Sequence, residues 1–179
     1  MTLTIKPAEP QDLDQIMTIE NTGFSPAEAA TRASMAERIR QIADTFLVAK
    51  QGATVVGYIV GPAFDQRYLT DGLFEAVRPN AAGDAYQTIL SLAVSPAHRG
   101  AGVASRLLTA LAQVARAQHR QALTLTCLQR LVPFYERNGY VNEGVSDSTH
   151  AGETWYNLVL PLADELQAHD GHENGGDPE

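Results

Sequence analysis

Hydrophobic positions in the first part of the chain change from an alternating pattern to a helical one. Residues 2–6 alternate between apolar and polar side chains, which predicts a short strand. The segment after them carries apolar residues near helical spacing, and these are Leu13, Ile16, Met17 and Phe24. The pattern therefore predicts a strand followed by a helix.

A second helix and a hairpin are predicted next. The segment SPAEAATRASMAERIRQIAD is expected to be helical, with Ser25 as its cap, Pro26 in its first turn and Glu28 completing a capping box. The following run, TFLVAKQGATVVGYIVG, contains two β-rich stretches that are interrupted at Gln51 and Gly52. Two such stretches around a short break predict a hairpin.

Residues 62–85 show no periodic pattern. A loop of this length inside a compact domain is usually either functional or disordered. Its apolar residues argue against disorder, and they are Phe64, Tyr68, Leu73 and Phe74. We therefore predict that the segment is a lid or a pocket wall, with room for a short helix.

The second half of the chain alternates strands and helices. AYQTILSLAV is predicted to be a long strand, ALTLTCL another strand, and YVNEGVSDSTHAGETWYNLVL a final hairpin. Between them, GVASRLLTALAQVARAQ is predicted to be a helix, and RLVPFYERNGY a short helix that is closed by Gly139. The inward face of the longer helix is expected to carry Val103, Leu107, Leu111 and Val114.

The predicted element order is β-α-α-β-β-β-α-β-α-β-β, within one domain. This order predicts an α/β (α+β) fold, with a mixed, mostly antiparallel sheet of about seven strands and helices on both faces. We place the domain at residues 1–162. Residues 163–179 are polar and rich in glycine, which predicts a disordered tail.

Composition and charge narrow the classes of function. The net charge of −8 argues against nucleic acid as a partner and favours cationic small molecules. No apolar run approaches the ~20 residues that cross a bilayer, and MTLTIKPAEP lacks the layout of a signal peptide. We therefore expect no membrane association and a cytoplasmic location. The single cysteine, Cys127, excludes an intrachain disulfide and is expected to pack in the core.

The stretch HRGAGVASRLL places a nearly bare backbone at the start of a predicted helix. A helix start leaves about four N–H groups without partners and carries about half a positive charge. Gly100 and Gly102, with the small Ala101 and Ala104, leave these donors open to an anion such as a pyrophosphate. The spacing fits neither a Walker loop nor a dinucleotide fingerprint. A plain strand-to-helix turn is the alternative interpretation of the glycines alone.

This turn and the strand before it resemble the acyl-CoA signature of the GNAT superfamily of N-acyltransferases. The signature is Gln/Arg-x-x-Gly-x-Gly/Ala after a strand that ends in LAV, and residues 99–104 here read RGAGVA. The resemblance implies that the CoA pyrophosphate binds the amides of residues 100–105 and that pantetheine pairs with the strand backbone. The residues that it implies for donor binding are Leu92, Ala93, Val94, Arg99, Gly100, Ala101, Gly102, Val103, Ala104 and Ser105.

Other stretches resemble the arylalkylamine (serotonin) N-acetyltransferase branch and its microbial relatives. They are ENTGF, GPAFDQRYLTDGLFE, ILSLAV, CLQRLVPFYERNGY and GVSDSTHAGETW. The resemblance implies a single-domain GNAT-like fold and transfer of acetyl from acetyl-CoA to a primary amine by direct attack in a ternary complex. It implies acetyl-CoA as cosubstrate and no metal. A homodimer is left open.

The resemblance also implies two catalytic groups. The backbone amide of Leu92 matches the family's donor to the developing oxyanion. Tyr135, in PFYERNGY, matches the tyrosine that protonates the leaving thiolate. A thiol has a pKa near ~8.5 and a phenol near ~10, so a neutral tyrosine can donate that proton at neutral pH. The alternative for Tyr135 is an aromatic residue that faces the core.

The group that deprotonates the amine is not given by the family pattern. The animal enzyme has two histidines on this strand, and the matching positions here are Thr88 and Leu90. An alkylammonium is deprotonated to only about one part in a thousand at neutral pH, so another route is needed. We prefer His150, because the last hairpin borders the acceptor side in this fold. The other candidates, acting through water, are Glu28, Asp65 and Glu136.

The acceptor is expected to be an arylalkylamine or a similar hydrophobic amine, ahead of polyamines, aminoglycosides and protein N-termini. The residues expected to bind it are Phe24, Phe64, Tyr68, Thr88 and Leu90, and Leu73 and Phe74 extend the apolar wall. Two alternatives remain: an acyl-CoA-binding sensor without catalysis, and an acetyltransferase of a peptide or protein N-terminus. A long loop over the acceptor site would obstruct an extended peptide.

Overall fold

The structure is a computed structural model, and it describes residues 2–162. The strands in this range are β1 (Leu3–Pro7), β2 (Phe46–Gln51), β3 (Thr54–Val60), β4 (Ala63–Phe64), β5 (Tyr86–Ile89), β6 (Ser91–Val94), β7 (Ala122–Leu128), β8 (Val141–Val145) and β9 (Trp155–Pro161). The α-helices are α1 (Leu13–Gly23), α2 (Arg32–Gln41), α3 (Gly72–Glu75), α4 (Val103–Ala117) and α5 (Val132–Arg137). The proposed tail, residues 163–179, lies outside the described residues.

The strands form two sheets that share the segment around Leu90. One sheet has the order β1-β2-β3-β6 and the other β4-β5-β7-β9-β8. Only the β5–β7 pair is parallel among these described strands. The predicted mixed, mostly antiparallel α/β architecture is therefore confirmed. The strand count is higher than about seven, because the predicted long strand is divided in two and the short β4 is added.

The division at Leu90 opens the molecule. Before it, β5 pairs with β7, with Ile89 opposite Leu125. After it, β6 pairs with β3 on the other side. Leu90 itself lies between them, and its N–H donates to the carbonyl of Val60 at 2.7 Å. Because the two halves of one extended segment pair in different sheets, β6 and β7 diverge and leave a gap between them.

Helices cover both faces of the first sheet, as the pattern predicted. Both α1 and α4 contact β3, which is buried at every position except its first residue. On the α4 face, Leu107 and Leu111 are fully buried, whereas Val114 is only partly so. Within residues 2–162, no helix has the length and apolar character needed to span a membrane.

The predicted start of the second helix is wrong. It begins at Arg32, seven residues after the expected cap, and Thr31 caps it by accepting a hydrogen bond from the N–H of Ser34 at 3.1 Å. The segment after Ser25 turns instead, because the carboxylate of Glu20 accepts a hydrogen bond from the N–H of Ala30 at 2.8 Å. This tertiary contact holds the segment outside the helix.

The irregular segment 62–85 is ordered by specific contacts. It contains β4 and, as expected, one short helix, α3. Its C-terminal end is fixed by the buried guanidinium of Arg120, which donates to the carbonyls of Ala81 at 2.8 Å and Asp84 at 2.6 Å. The remainder passes over the gap between the sheets, where it contacts the β8–β9 hairpin.

Candidate active site

Two adjoining cavities occupy the gap between the diverging strands. The wedge cavity, of about 490 Å³, lies between β6 and β7 and reaches α1 and α2. The turn cavity, of about 580 Å³, follows β6 to the start of α4. Residues that line both are Phe24, Leu92, Leu131 and Tyr135. The cavities therefore meet at these residues, which we call the junction.

The turn cavity includes a helix start that is suited to an anion. Gly100 and Gly102 have φ angles of 82° and 80°, a left-handed conformation that glycine adopts without strain. Gly102 is the N-cap of α4 and offers no side chain to the first N–H groups of the helix. His98 adds a buried Nδ1 atom that has no hydrogen-bond partner among the described residues. The open N–H groups and the positive end of the helix dipole fit a diphosphate.

One edge of β6 faces the cavities and pairs with no described strand. The N–H of Ser95, just after β6, donates to a β3 carbonyl at 2.8 Å. In an antiparallel pair, alternate residues direct their N–H groups to the partner strand. The amides of Leu92 and Val94 lie an odd number of residues from Ser95, so they point away from β3. These amides are available to a ligand, and that of Leu92 is at the junction.

Tyr135 is buried at the junction. Its side chain is 7% exposed, and its ring packs edge-to-face against Phe134 at 5.0 Å and Tyr140 at 5.6 Å. Burial raises the pKa of Tyr135 well above its ordinary value, so the hydroxyl stays protonated and can donate. Cys127 also lines the wedge cavity, and burial raises its pKa to about 12. The thiol is thus protonated at neutral pH and is a poor nucleophile.

A buried carboxylate, absent from the sequence-based candidates, also lines the wedge cavity. Glu20 is 2% exposed and accepts hydrogen bonds from the hydroxyl of Tyr58 and from Ser91 Oγ, the latter at 2.7 Å. Its other oxygen accepts the bond from Ala30. Burial, reinforced by Glu20, raises the pKa of Tyr58 well above its ordinary value. Because Ser91 precedes Leu92, this network connects Glu20 with the junction.

A buried guanidinium lines the same cavity. Arg38 is 2% exposed, and its Nη2 donates to the carbonyl of Phe74 at 3.2 Å. The sequence contains a signal for both charged residues. Glu20 follows the buried Ile16 by four positions, and Arg38 follows the buried Met35 by three, so each lies on an apolar helix face. A charge within such a face is expected to have a specific partner.

The outer side of the wedge cavity is covered by contacts between segment 67–74 and segment 143–150, which we call the roof. At its outer edge, Arg67 donates to Glu143 through Nε at 2.8 Å and through Nη2 at 2.5 Å. The hydroxyl of Tyr68 donates to the same carboxylate at 2.8 Å. The hydrogen bond from Arg67 is the main cause that lowers the pKa of Glu143, so this contact is ionic at neutral pH.

The inner part of the roof consists of side chains that line the cavity. Ser148 Oγ donates to Asp71 at 2.7 Å. The rings of Phe74 and His150 are stacked, with centroids 6.2 Å apart and an interplanar angle of 8°. The indole N–H of Trp155 donates to the carbonyl of His150 at 2.8 Å, which fixes the turn that carries the histidine.

Many of the sequence-predicted site residues come together. Those in the wedge cavity are Phe24, Glu28, Phe74, Leu90, Leu92, Tyr135 and His150. Those in the turn cavity are Leu92, Ala93, Val94, Arg99, Gly100, Gly102, Val103, Ala104 and Ser105, whereas Ala101 is in the same turn but does not line it. No group of three or more His, Cys, Asp or Glu within residues 2–162 is arranged to hold a metal.

Other predicted residues lie away from both cavities. Thr88 is fully buried and its hydroxyl donates to the carbonyl of Pro62 at 2.7 Å, so it does not face an acceptor. Tyr68 binds Glu143 in the roof, and Phe64 is half-buried in β4. None of these three residues, which were expected at the acceptor site, lines either cavity. Leu73, Asp65 and Glu136 also do not line the cavities.

A divided sheet with a glycine-rich helix start beside the gap defines the class of N-acyltransferase folds that the sequence motifs predicted. The model of the Acetyltransferase (GNAT) family matches residues 13–140, most of the chain. The protein therefore belongs to the GNAT acetyltransferase family. A sequence search of curated proteins found no match.

Solved structures share this fold at low sequence identity. Ard1 from Thermoplasma volcanium has 22% identity and a TM-score of 0.73, with 90% of this chain and 99% of that chain covered. The loading GNATL domain of CurA from Lyngbya majuscula has 14% identity and a TM-score of 0.78, with 92% of this chain and 100% of that domain covered. The putative acetyltransferase yncA from Salmonella typhimurium, solved with acetyl-CoA, has 17% identity and a TM-score of 0.66, with 90% and 95% covered.

Proposed function

We propose that the protein transfers the acetyl group of acetyl-CoA to a small primary amine that carries an aromatic or other hydrophobic group. The observation that carries this proposal is the junction, where the amide of Leu92 and the hydroxyl of Tyr135 lie between two cavities. Family membership and the acetyl-CoA complex of the similar yncA structure support the choice of donor.

The turn cavity is the proposed donor site. Acetyl-CoA would supply an activated acetyl thioester, and its diphosphate fits the helix start at Gly102. The open edge of β6 offers the amides of Leu92 and Val94 to the amide-containing arm of the donor. The donor's reactive end then lies at the junction, where the wedge cavity begins.

Leu92 and Tyr135 have complementary roles at the junction. The Leu92 N–H stabilises the negative charge that develops on the thioester oxygen, because it is a fixed donor in a site largely removed from water. The neutral hydroxyl of Tyr135 donates a proton to the sulfur that leaves. Both residues act on the donor, so catalytic competence does not depend on the missing strand histidines. Their placement favours an enzyme over a sensor.

Glu20 is the proposed proton acceptor for the amine, acting through Ser91. Ser91 Oγ donates its own proton to Glu20 at 2.7 Å, which leaves its lone pairs free to accept from an ammonium group at the junction. A proton can then pass from the amine to Ser91 and from Ser91 to Glu20. His150, our preferred base from the sequence, lines the cavity but stacks on Phe74 in the roof. It remains the competing route.

The roof favours a small acceptor. Structures in the same fold class include the NatC complex bound to Gag peptide and CoA, and Naa50 with a peptide bisubstrate analogue. In this chain, the stacked Phe74 and His150 cover the outer side of the wedge cavity. An extended peptide would have to displace them. The aromatic walls at Phe24, Phe74 and Trp155 suit an arylalkylamine or a similar hydrophobic amine.

The proposed function is tested by release of CoA thiol from acetyl-CoA with a panel of amines. The panel contains tryptamine, phenethylamine, spermidine, an aminoglycoside and a short peptide. We expect release with the aromatic amines and little with the peptide. Release with the peptide alone would overturn the small-molecule assignment. Acetyl-CoA binding without release for any amine would favour the sensor.

The proton route is tested with Glu20→Gln and His150→Ala. If Glu20 accepts the proton, turnover of the Glu20→Gln variant falls by about 100-fold at neutral pH and recovers as the pH approaches ~10, where the amine arrives deprotonated. A purely structural defect would not recover. Glu28→Gln tests the other carboxylate that was a candidate from the sequence, because Glu28 lines the same cavity but has no bond to Ser91. If Glu20 is the acceptor, the Glu28→Gln variant shows neither the loss at neutral pH nor the alkaline recovery. Alkaline recovery in His150→Ala instead would assign the histidine.

A further inference from the structure

Arg38 is a buried cation with no carboxylate within ion-pair distance among the described residues. The described chain contains four ion pairs with N–O distances of 4.0 Å or less, and none includes Arg38. Among the described residues, its guanidinium makes one hydrogen bond to the carbonyl of Phe74 at 3.2 Å and one weak contact with the sulfur of Met35 at 3.8 Å. A guanidinium has five N–H donors, so most of the hydrogen-bond donors of Arg38 have no acceptor among the described residues.

The surroundings of Arg38 do not compensate for its burial. Burial is the main cause that lowers its pKa, and the electrostatic interactions with Glu20, Tyr58 and Glu37 only partly oppose this. Glu20 is already bonded to Tyr58, Ser91 and Ala30. A buried charge is normally paired, because an unpaired one is costly. The side chain faces the wedge cavity, so a ligand can provide the missing anion.

The cavity places this anion site near the acyl-transfer point. Arg38 lies beside Glu20, and Glu20 bonds to Ser91, which precedes Leu92 at the junction. Arg38 is the one Lys or Arg among the described residues that line the wedge cavity. The remaining acidic lining residues are Glu28, Asp71 and Glu75, which are half-buried or exposed and therefore belong to the outer part of the cavity.

We propose that the acceptor carries a carboxylate close to its amine, and that Arg38 binds this carboxylate. The substrate class is then an amino acid with a hydrophobic or aromatic side chain, rather than the corresponding amine without the acid group. This inference rests on the proposed acetyl transfer and narrows its acceptor. Arg38 can hold a carboxylate through two parallel N–H···O bonds, which fixes the orientation of the amine.

The test uses matched pairs of acceptors in the thiol-release assay with the wild-type protein. The pairs are phenylalanine with phenethylamine and tryptophan with tryptamine, and phenylalanine amide keeps the size of phenylalanine without its negative charge. We expect kcat/KM to be about tenfold or more higher for each acid than for its partner, as for a hydrogen bond to a charged group. Equal values, or an amide as good as the acid, would overturn the inference.

Arg38→Met removes the guanidinium and keeps an unbranched side chain. We expect the preference for the acid to disappear through a higher KM for phenylalanine, so that the ratio of kcat/KM for phenylalanine to kcat/KM for phenethylamine falls to about one. This ratio is independent of any effect on the neighbouring Glu20 that both acceptors share. Arg40→Met is the matched control, because Arg40 is exposed on the same helix. An equal loss for acid and amine would show that Arg38 is only structural. Circular dichroism and acetyl-CoA affinity report whether the variant is folded.

A binding measurement separates failure of this inference from failure of the proposed function. Calorimetry in the presence of CoA compares phenylalanine with phenethylamine in the wild-type protein and in the Arg38→Met variant. A preference for phenylalanine that is lost in the variant supports the carboxylate site even if no acceptor is acetylated. If amines give thiol release but neither thiol release nor calorimetry shows a preference for phenylalanine over phenethylamine, the carboxylate site is refuted and the proposed acetyl transfer stands.

Discussion

Replacing Tyr135 by Phe removes one hydroxyl from the junction and leaves the ring in place. The ring packs edge-to-face against Phe134 at 5.0 Å and Tyr140 at 5.6 Å, and both contacts are kept in the variant. The side chain is only 7% exposed, so bulk water has little access to replace the lost proton donor. The change therefore isolates the proposed general acid.

The expected loss is about 100-fold in kcat, at the lower end of the ~10²–10⁴ range for a general acid. The lower end applies because a thiolate, with a pKa near ~8.5, can leave without full protonation. Two factors of ten correspond to about 2.7 kcal/mol of the activation barrier. The affinity for acetyl-CoA and the melting temperature should not change, because no side-chain hydrogen bond from the Tyr135 hydroxyl to another described residue is lost.

Tyr140→Phe provides the control for this experiment. Tyr140 neighbours Tyr135, but its hydroxyl is buried without a hydrogen-bond partner among the described residues and lines neither cavity. We expect normal kcat and a gain in unfolding free energy of about 1 kcal/mol, because an unsatisfied polar group is removed. Steady-state thiol release, calorimetry with acetyl-CoA and thermal melting decide the outcome. Equal kcat values for the two variants would exclude Tyr135 as the acid.

Three further outcomes follow from burial and backbone geometry. Gly61→Ala should lower the unfolding free energy by about 3 kcal/mol or more in urea titrations, because the new Cβ would lie 1.9 Å from the backbone oxygen of Thr88. Gly72→Ala is the control and should be tolerated, because a Cβ at Gly72 meets no atom within 4 Å. Cys127→Ala should keep most of the wild-type turnover without a burst phase, because the pKa of the buried thiol is raised to about 12 and no acyl-enzyme is expected. The unfolding free energy should fall steeply above pH ~10, because three tyrosines lose their protons in the unfolded chain and keep them in the folded chain. Each tyrosine contributes a loss of about 1.36 kcal/mol per pH unit, so the total loss reaches up to about 4 kcal/mol per pH unit. Urea titrations at pH 8 and pH 10.5 measure this loss, and the tyrosines with raised pKa are Tyr58, Tyr135 and Tyr140.

The features that the sequence predicted well depend on local chemistry. Gly100 and Gly102 were expected to leave a helix start open, and their left-handed backbone with an uncapped α4 agrees with that expectation. The inward face of α4 followed from helical periodicity, and Leu107 and Leu111 are fully buried. Such features can be predicted because each one depends on residues that are close together in the chain.

The features that were missed depend on contacts between distant segments. The start of the second helix was wrong because Glu20, ten positions earlier, binds the N–H of Ala30. Thr88 was expected at the acceptor site because of its position on the strand, but its hydroxyl donates a hydrogen bond to the carbonyl of Pro62. Arg38 was missed because a charged helix residue is exposed in most proteins. The sequence can place a polar group on an apolar helix face, but the packed fold is needed to show which partner or cavity that group faces.

The open edge of β6 has a consequence for amide hydrogen exchange. Ser91 and Ala93 lie in phase with the bonds to β3, so their amide hydrogens should exchange slowly at all times. The amide hydrogens of Leu92 and Val94 have no partner among the described strands, so in the free protein they should exchange quickly. A donor that pairs with this edge would protect them and would add its binding free energy to the stability of the fold. The sheet is thus completed by the ligand, and two backbone hydrogens report whether it is bound.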